Sequence, residues 1–358
     1  MISGATQADV AVLVVPASVG EFETAMGRNA QTREHAVLLK ALGVNQILVV
    51  VNKMDMTNPP WCEARFLEVQ SQVREMLYAQ NFTERAVRFI PVSGLSGENL
   101  LEIPSNPLAA WWTASALKAS SGDVSREGGS TLVQALDAFK TPVRNLAAPL
   151  RAVISSVLDE SDKSADVVVR MCVLQGRLRL GRGVGLASGA GAATVRCISA
   201  DDGSLVGMLD AGESATVTLV DRSGRSGQEM GLAAGMVVCK GPPLAAMHSK
   251  FRATVQTLEG NQPWVLIPGM PFELYIHGER VPCHVRQIFS HSLAQAGGAL
   301  GEKSKKKGMC VGGSLAVLLI ETTRPVCVET FVACRALGRF ALRAKGVSFG
   351  VGVVDALA

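Results

Sequence analysis

Residues 47–60, ILVVVNKMDMTNPP, constrain the architecture around them more tightly than any other part of this 358-residue chain. Ile47 to Val51 are all apolar, with no polar alternation, the pattern of a strand buried on both faces. The run stops at Asn52-Lys53-Met54-Asp55 and breaks into a loop at Pro59-Pro60. A strand covered on both sides implies helices packed on a parallel sheet. The flanking segments carry the matching signals. Residues 9–15 are a further short apolar run, expected to be a strand buried on both faces, and residues 87–92 are expected to be a third strand. Gln31–Leu42 predicts a largely buried helix stopped by Gly43. Glu63–Ala79 predicts an amphipathic helix, with Phe66, Val69, Val73, Met76 and Leu77 opposite Glu63, Arg65, Glu68 and Arg74.

The texture changes after residue 103. Pro104, Pro107, Ser120-Ser121-Gly122-Asp123 and Gly128-Gly129-Ser130 mark an irregular connection, with Trp111-Trp112 as its expected anchor. Residues 131–139 predict one more helix. From Pro149 onward short β-branched runs recur, at 167–173, 216–220, 236–239, 251–258, 271–276, 281–289, 315–320 and 326–332. Gly, Pro and Asp punctuate them, as in all-β barrels or sandwiches. The expected organisation is an α/β domain over residues 1–145, a first β-barrel over 146–243 and a second over 244–358, with a boundary near Gly241-Pro242-Pro243.

Composition excludes several classes. With 48% hydrophobic and 18% charged residues the chain is globular and not disordered. No apolar run reaches the roughly 18 residues that span a bilayer, so no membrane role is expected. A net charge of +4 permits an RNA partner without requiring one. The eight cysteines show no C-x-x-C pair, and read as buried, reduced thiols of a cytoplasmic protein.

The chemistry lies in two loops. The Asp55 carboxylate can accept two hydrogen bonds from the N1 and N2 edge of guanine. Adenine offers no such donor pair and would leave a buried carboxylate unpaired. Asn52 can bond the opposite edge and brace the loop, and the aliphatic stem of Lys53 can lie on the base face. Ser93-Gly94-Leu95 follows the next strand, and its N–H groups can donate to the guanine O6. Both loops then sit at the C-terminal ends of neighbouring parallel strands, where ligands bind in open α/β sheets.

The phosphate half of such a site is not legible. The nearest approach to G-x-x-x-x-G-K-[ST] is Gly298-Ala299-Leu300-Gly301-Glu302-Lys303-Ser304. Glu302 replaces the second glycine there and would repel phosphate, and no strand precedes the segment. No D-x-x-G that could hold magnesium stands in residues 1–145, and no catalytic residue is assigned. His277, His284 and His291 fall seven apart, a spacing that places successive strand residues on opposite faces, so no metal site is expected. Lys303, Lys305, Lys306 and Lys307 form a basic loop that is either solvated or a contact to ribosomal RNA phosphate.

Several segments resemble a known family. MISGATQADVAVLVVPASVGEFE, QTREHAVLLKALGV, VVVNKMD and FIPVSGLSGENL resemble the second half of the GTP-binding domain of elongation factor 1-alpha and its relatives. TLVQALDAFKTP, DAGESATVTLV, GMVVCKGPP, TTRPVCVETF and LGRFALR continue the likeness. SGLSGENL, the lysine loop and TTRPVCVE are most similar to the HBS-like branch, ribosome-rescue GTPases that partner Pelota. The elongation factors and the release-factor GTPases are the near alternatives. The resemblance implies the C-terminal half of a P-loop-type G domain followed by two β-barrels. It also implies GTP or GDP with Mg2+ as cofactor, hydrolysis of GTP at family level, and ribosome, ribosomal RNA and Pelota-like partners, with no membrane and no DNA. Asn52, Lys53, Asp55, Ser93, Gly94 and Leu95 would read the base. The family's phosphate-loop Lys, switch Thr and D-x-x-G have no counterpart here, so the expectation is a truncated start and no activity for this chain alone. A nucleotide-free binding module is the other expectation.

Overall fold

A computed structural model describes residues 8–27, 31–80, 82–113, 131–159, 166–187, 189, 191–221, 225, 229–241, 244–257, 265–294, 300–303, 309–344 and 347–358. They fall into two compact units, residues 8–142 and 143–358.

The first unit runs β1 (Val10–Pro16), α1 (Glu21–Met26), α2 (Gln31–Leu42), β2 (Gln46–Asn52), a 3-10 turn (Met54–Met56), α3 (Glu63–Ala79), β3 (Val87–Pro91) and α4 (Leu132–Asp137). The three strands form a parallel sheet in the order β1-β2-β3. Val12 pairs with Leu48, and Leu48 with Arg88. The central strand is buried from Ile47 to Val51, as its unbroken apolar run predicts. The expectation for β1 was wrong. Leu13 and Val15 are buried, but Val12 is 45% and Val14 58% exposed. An edge strand has only one neighbour, and no described element covers the Val12 face. An apolar run by itself does not distinguish a strand covered twice from one covered once.

Helix α3 buries the face read from its periodicity, with Phe66, Val69, Val73, Met76 and Leu77 all inward. Trp111 and Trp112 anchor the connection that follows, their rings 5.3 and 5.8 Å from that of Phe66. Thr131 caps α4, accepting from the Gln134 N–H at 3.3 Å while Gln134 Oε1 returns the bond to the Thr131 N–H. Residues 114–130 lie outside the described set.

The second unit is all β. Its first part comprises β4 (Leu150–Asp159), β5 (Asp166–Gln175), β6 (Arg177–Arg179), β7 (Gly183–Leu186), β8 (Gly191–Ser199), β9 (Met208–Asp210), β10 (Ser214–Asp221) and β11 (Val237–Lys240). Six of these close a barrel in the order β10-β5-β4-β11-β7-β8. The rest comprises β12 (Met247–Thr257), β13 (Val265–Leu266), β14 (Pro271–Ile276), β15 (Glu279–Ala294), β16 (Leu300–Lys303), β17 (Cys310–Val311), β18 (Ser314–Cys327), β19 (Arg339–Ala344) and β20 (Val347–Leu357). The order β14-β19-β20-β12-β18-β15 closes through a β14–β15 pairing, so this is a second six-stranded barrel with β16 added at β15. Ring pairs Phe251–Phe340 and Phe272–Phe349 fill it edge to face.

The two barrels share a small apolar cluster that includes Val153, Cys239, Cys327 and Leu337. Beside it Arg151 Nε donates to Glu329 Oε1 at 2.6 Å, both side chains at most 9% exposed. The strand expected over 326–332 is corrected: β18 ends at Cys327, and the chain turns. Glu329 leaves the ladder to meet Arg151. Gly338 packs so tightly on the turn that a Cβ there would lie 2.5 Å from the Phe331 backbone. Pro242 and Pro243 of the expected boundary lie outside the described residues.

Candidate functional site

Strand β2 delivers Asn52 at its C-terminal end, and the chain then bends sharply. Lys53 takes a left-handed conformation with φ 64°, and the 3-10 turn follows at once. Asn52 Oδ1 accepts the Lys53 N–H at 2.7 Å and the Gly94 N–H at 2.9 Å. One amide side chain therefore fixes its own turn and ties it to the loop after β3. Met54 is fully buried and donates its N–H to Val92 O at 3.2 Å. Thr57 Oγ1 donates to Met54 O at 2.9 Å and accepts the Cys62 N–H at 3.1 Å. The turn that carries Asp55 is thus held on several sides.

Asp55 Oδ1 is buried and has no hydrogen-bond partner among the described residues. An unsatisfied buried acceptor costs about 1–3 kcal/mol, more when it is charged. An acceptor left open in a turn this well braced can take donors from a ligand.

Lys53 extends the other way. Its Nζ lies 2.6 Å from Glu21 Oε2, which also accepts the Ser18 hydroxyl at 2.7 Å. These hydrogen bonds, that from Lys53 first, hold the Glu21 carboxyl below the usual carboxylate range. Glu21 and Ser18 were not among the residues read from the sequence. Their separation of more than thirty residues from Lys53 hides the pairing.

In the companion loop Ser93 is fully buried, and Gly94 and Leu95 are exposed, Leu95 by 90%. The expectation that this loop offers its N–H groups to O6 narrows here. The Ser93 N–H donates to Glu98 O at 3.2 Å, and the Gly94 N–H is committed to Asn52 Oδ1. Only the Leu95 N–H lacks an acceptor among the described residues. Two residues overlooked in the sequence complete the loop. Glu98 Oε2 accepts Trp61 Nε1–H at 2.8 Å and the Ser96 hydroxyl at 3.2 Å. Asn99, left-handed and buried, donates Nδ2–H to Pro91 O at 2.8 Å.

The remaining candidates do not converge. His277 is buried and left-handed in the turn between β14 and β15, whereas His284 lies 3.5 Å from Glu321. Among the described residues no group of three His, Cys, Asp or Glu could hold a metal ion. Lys303 ends β16, and Lys305, Lys306 and Lys307 lie outside the described residues.

Comparison with known proteins places these loops in context. The family Elongation factor Tu GTP binding domain matches residues 1–143, and the family GTP-eEF1A C-terminal domain-like matches residues 250–355. The chain is 31% identical to Protein HBS1 of Drosophila melanogaster, covering 99% of this chain but 48% of that protein. It is 33% identical to Elongation factor 1-alpha of Staphylothermus marinus, covering 99% of this chain and 74% of that protein. It therefore spans about half the length of the first relative and about three quarters of the second. Among solved structures, the GTPase-like domain of S. cerevisiae Ski7 bound to GTP superposes with a TM-score of 0.72 at 15% identity, covering 97% of this chain and 73% of that one. Sup35 complexed with GMPPNP gives 0.52 at 25% identity, covering 99% and 80%. At 15% identity the likeness to Ski7 concerns the fold alone.

Proposed function

Since the chain belongs to the elongation factor 1-alpha family of translational GTPases, we propose that it is a ribosome-associated factor of cytoplasmic ribosome rescue that reads guanine with Asn52, Lys53, Asp55, Ser93, Gly94 and Leu95. The carrying observation is the buried, unpartnered Asp55 Oδ1 beside the Asn52 brace. Asp55 would take N1–H and N2–H of the base, Asn52 Nδ2 its opposite edge, the Lys53 stem its face and the Leu95 N–H its O6. The Gly94 N–H is available to O6 only as a donor shared with Asn52. GTP or GDP is the nucleotide class, and the residue ranges 1–145, 146–243 and 244–358 are the proposed domains.

Guanine fits the residues named above; the described residues offer no seat for the triphosphate and its magnesium. Phosphoryl transfer depends on positioning and on neutralising charge at the phosphates, so a base-reading half alone supplies little affinity and no hydrolysis. Calorimetry of the chain with GTP and Mg2+ at micromolar nucleotide should show no binding heat; tight magnesium-dependent binding would sink this part of the reading. The likeness to Protein HBS1 supports a rescue role with a Pelota-like partner. The likeness to Elongation factor 1-alpha at 30–33% identity supports tRNA delivery as a second reading. Co-purification separates them: a Pelota-like protein in the eluate favours rescue, aminoacyl-tRNA favours delivery, and a release factor favours termination.

A further inference from the structure

Besides the main-chain bond from the Met54 N–H to Val92 O at 3.2 Å, two side-chain joints tie the base-reading loops together, and only one of these uses a residue that would also touch the ligand. Asn52 makes the first, through its bond from the Gly94 N–H at 2.9 Å. The second runs through Trp61 and Glu98. The Trp61 N–H donates to Met54 O at 2.8 Å, on the residue before Asp55. Its ring is 1% exposed, and its Nε1–H donates to Glu98 Oε2 at 2.8 Å. Glu98 in turn accepts the Ser96 hydroxyl at 3.2 Å with its carboxylate and the Ser93 N–H at 3.2 Å with its carbonyl. Trp111 Nε1–H closes the back of the clasp on Trp61 O at 2.8 Å.

We propose that Glu98 is a positioning residue for base recognition, coupling the Asp55 turn to the Leu95 loop through Trp61. This rests on the guanine reading above. Glu98 bonds groups of the two loops and would not bond the base. It fixes the distance between an acceptor, Asp55, and a donor, the Leu95 N–H, that must meet opposite functions on one edge of the same ring. A carboxylate suits the post because two donors from different loops converge on one oxygen, and a charged acceptor makes both bonds stronger. The pair is far apart in sequence, so nothing local enforces the geometry. Misplacement by a fraction of an ångström would cost Asp55 its two-pronged contact with N1–H and N2–H.

The test is an amide and indole NMR titration of the full chain with guanosine and with inosine, which lacks the 2-amino group. Wild type should bind guanosine more tightly than inosine. Glu98→Ala should weaken guanosine by about tenfold and bring the guanosine-to-inosine ratio towards one. Trp61→Phe, which keeps the ring packing and removes the donor, should do the same even if Glu98→Ala folds poorly. Glu98→Gln, whose carbonyl still accepts the indole N–H, should keep most of the selectivity. Variants that bind both nucleosides with the wild-type ratio, or lose both equally, would overturn the positioning role and leave the guanine reading intact. A wild type that binds no guanosine would overturn both.

Discussion

At residue scale the proposed guanine reading rests on Asp55. Guanine presents an amino group at C2, and xanthine presents a carbonyl there. Asp55→Asn exchanges an acceptor for a side chain that also donates, so the variant should lose guanosine and gain xanthosine in the same titration; unchanged preference would contradict the assignment of Asp55. A second residue sets a pH dependence. His277 Nε2 lies 2.7 Å from the Cys327 carbonyl, which can only accept, so Nε2 carries the proton and Nδ1 is bare. Burial pushes the imidazole down to about 4, against the ordinary 6.5. Between these values the unfolded chain takes up a proton that the folded chain refuses. The associated stability is complete above about pH 6.5 and is lost as pH falls towards 4, by about 3 kcal/mol in all. His277→Asn, which tolerates the left-handed turn, should flatten the fall in urea midpoint between pH 6.5 and pH 4.5. Cysteine reactivity follows the same logic. Burial raises Cys327 to about 12 and Cys334 to about 11. Iodoacetamide at neutral pH should therefore label the half-buried Cys62 and Cys197 first, as mass spectrometry would read.

Elements explain what the sequence could and could not disclose. Helix α3 was legible to the residue because one periodic face and a 17-residue length leave no rival reading. The NKMD turn was legible because it follows an unmistakable buried strand. Strand β1 was half legible: apolarity showed its existence but not that its Val12 and Val14 face lies open. Substituting Lys for Val12 should leave the melting temperature within a degree or two, whereas Lys for Val15 should abolish folding of the sheet; equal effects would contradict the one-sided burial. The bonds that finish the site were illegible. Glu21 to Lys53, Trp61 to Glu98 and Arg65 to Ala17 O span 32, 37 and 48 positions, and no local pattern announces a partner so distant.

In the barrel unit, Arg151 and Glu329 form a buried joint between the two barrels beside the apolar cluster they share. Removing one partner strands the other charge in an apolar setting. Glu329→Ala should cost about 3–5 kcal/mol in chemical denaturation, and the double change of Arg151 to Met with Glu329 to Leu should recover most of it. The recovery matters more than the loss, since it distinguishes an ion pair that specifies the joint from one that merely stabilises it.

Taken over the whole molecule, the site stands on the first unit and depends on none of this. There two parallel strands carry the loops that hold a carboxylate acceptor and a main-chain donor, and guanine is the base proposed to satisfy both. The most direct measurement is therefore a titration of isotopically labelled chain with guanosine and adenosine at millimolar concentration, without phosphate or magnesium. Guanosine should shift the Asn52 side-chain amide and the Leu95 main-chain amide, saturably, while adenosine leaves them in place. Equal responses to the two nucleosides, or none to guanosine, would contradict the claim that this chain reads guanine.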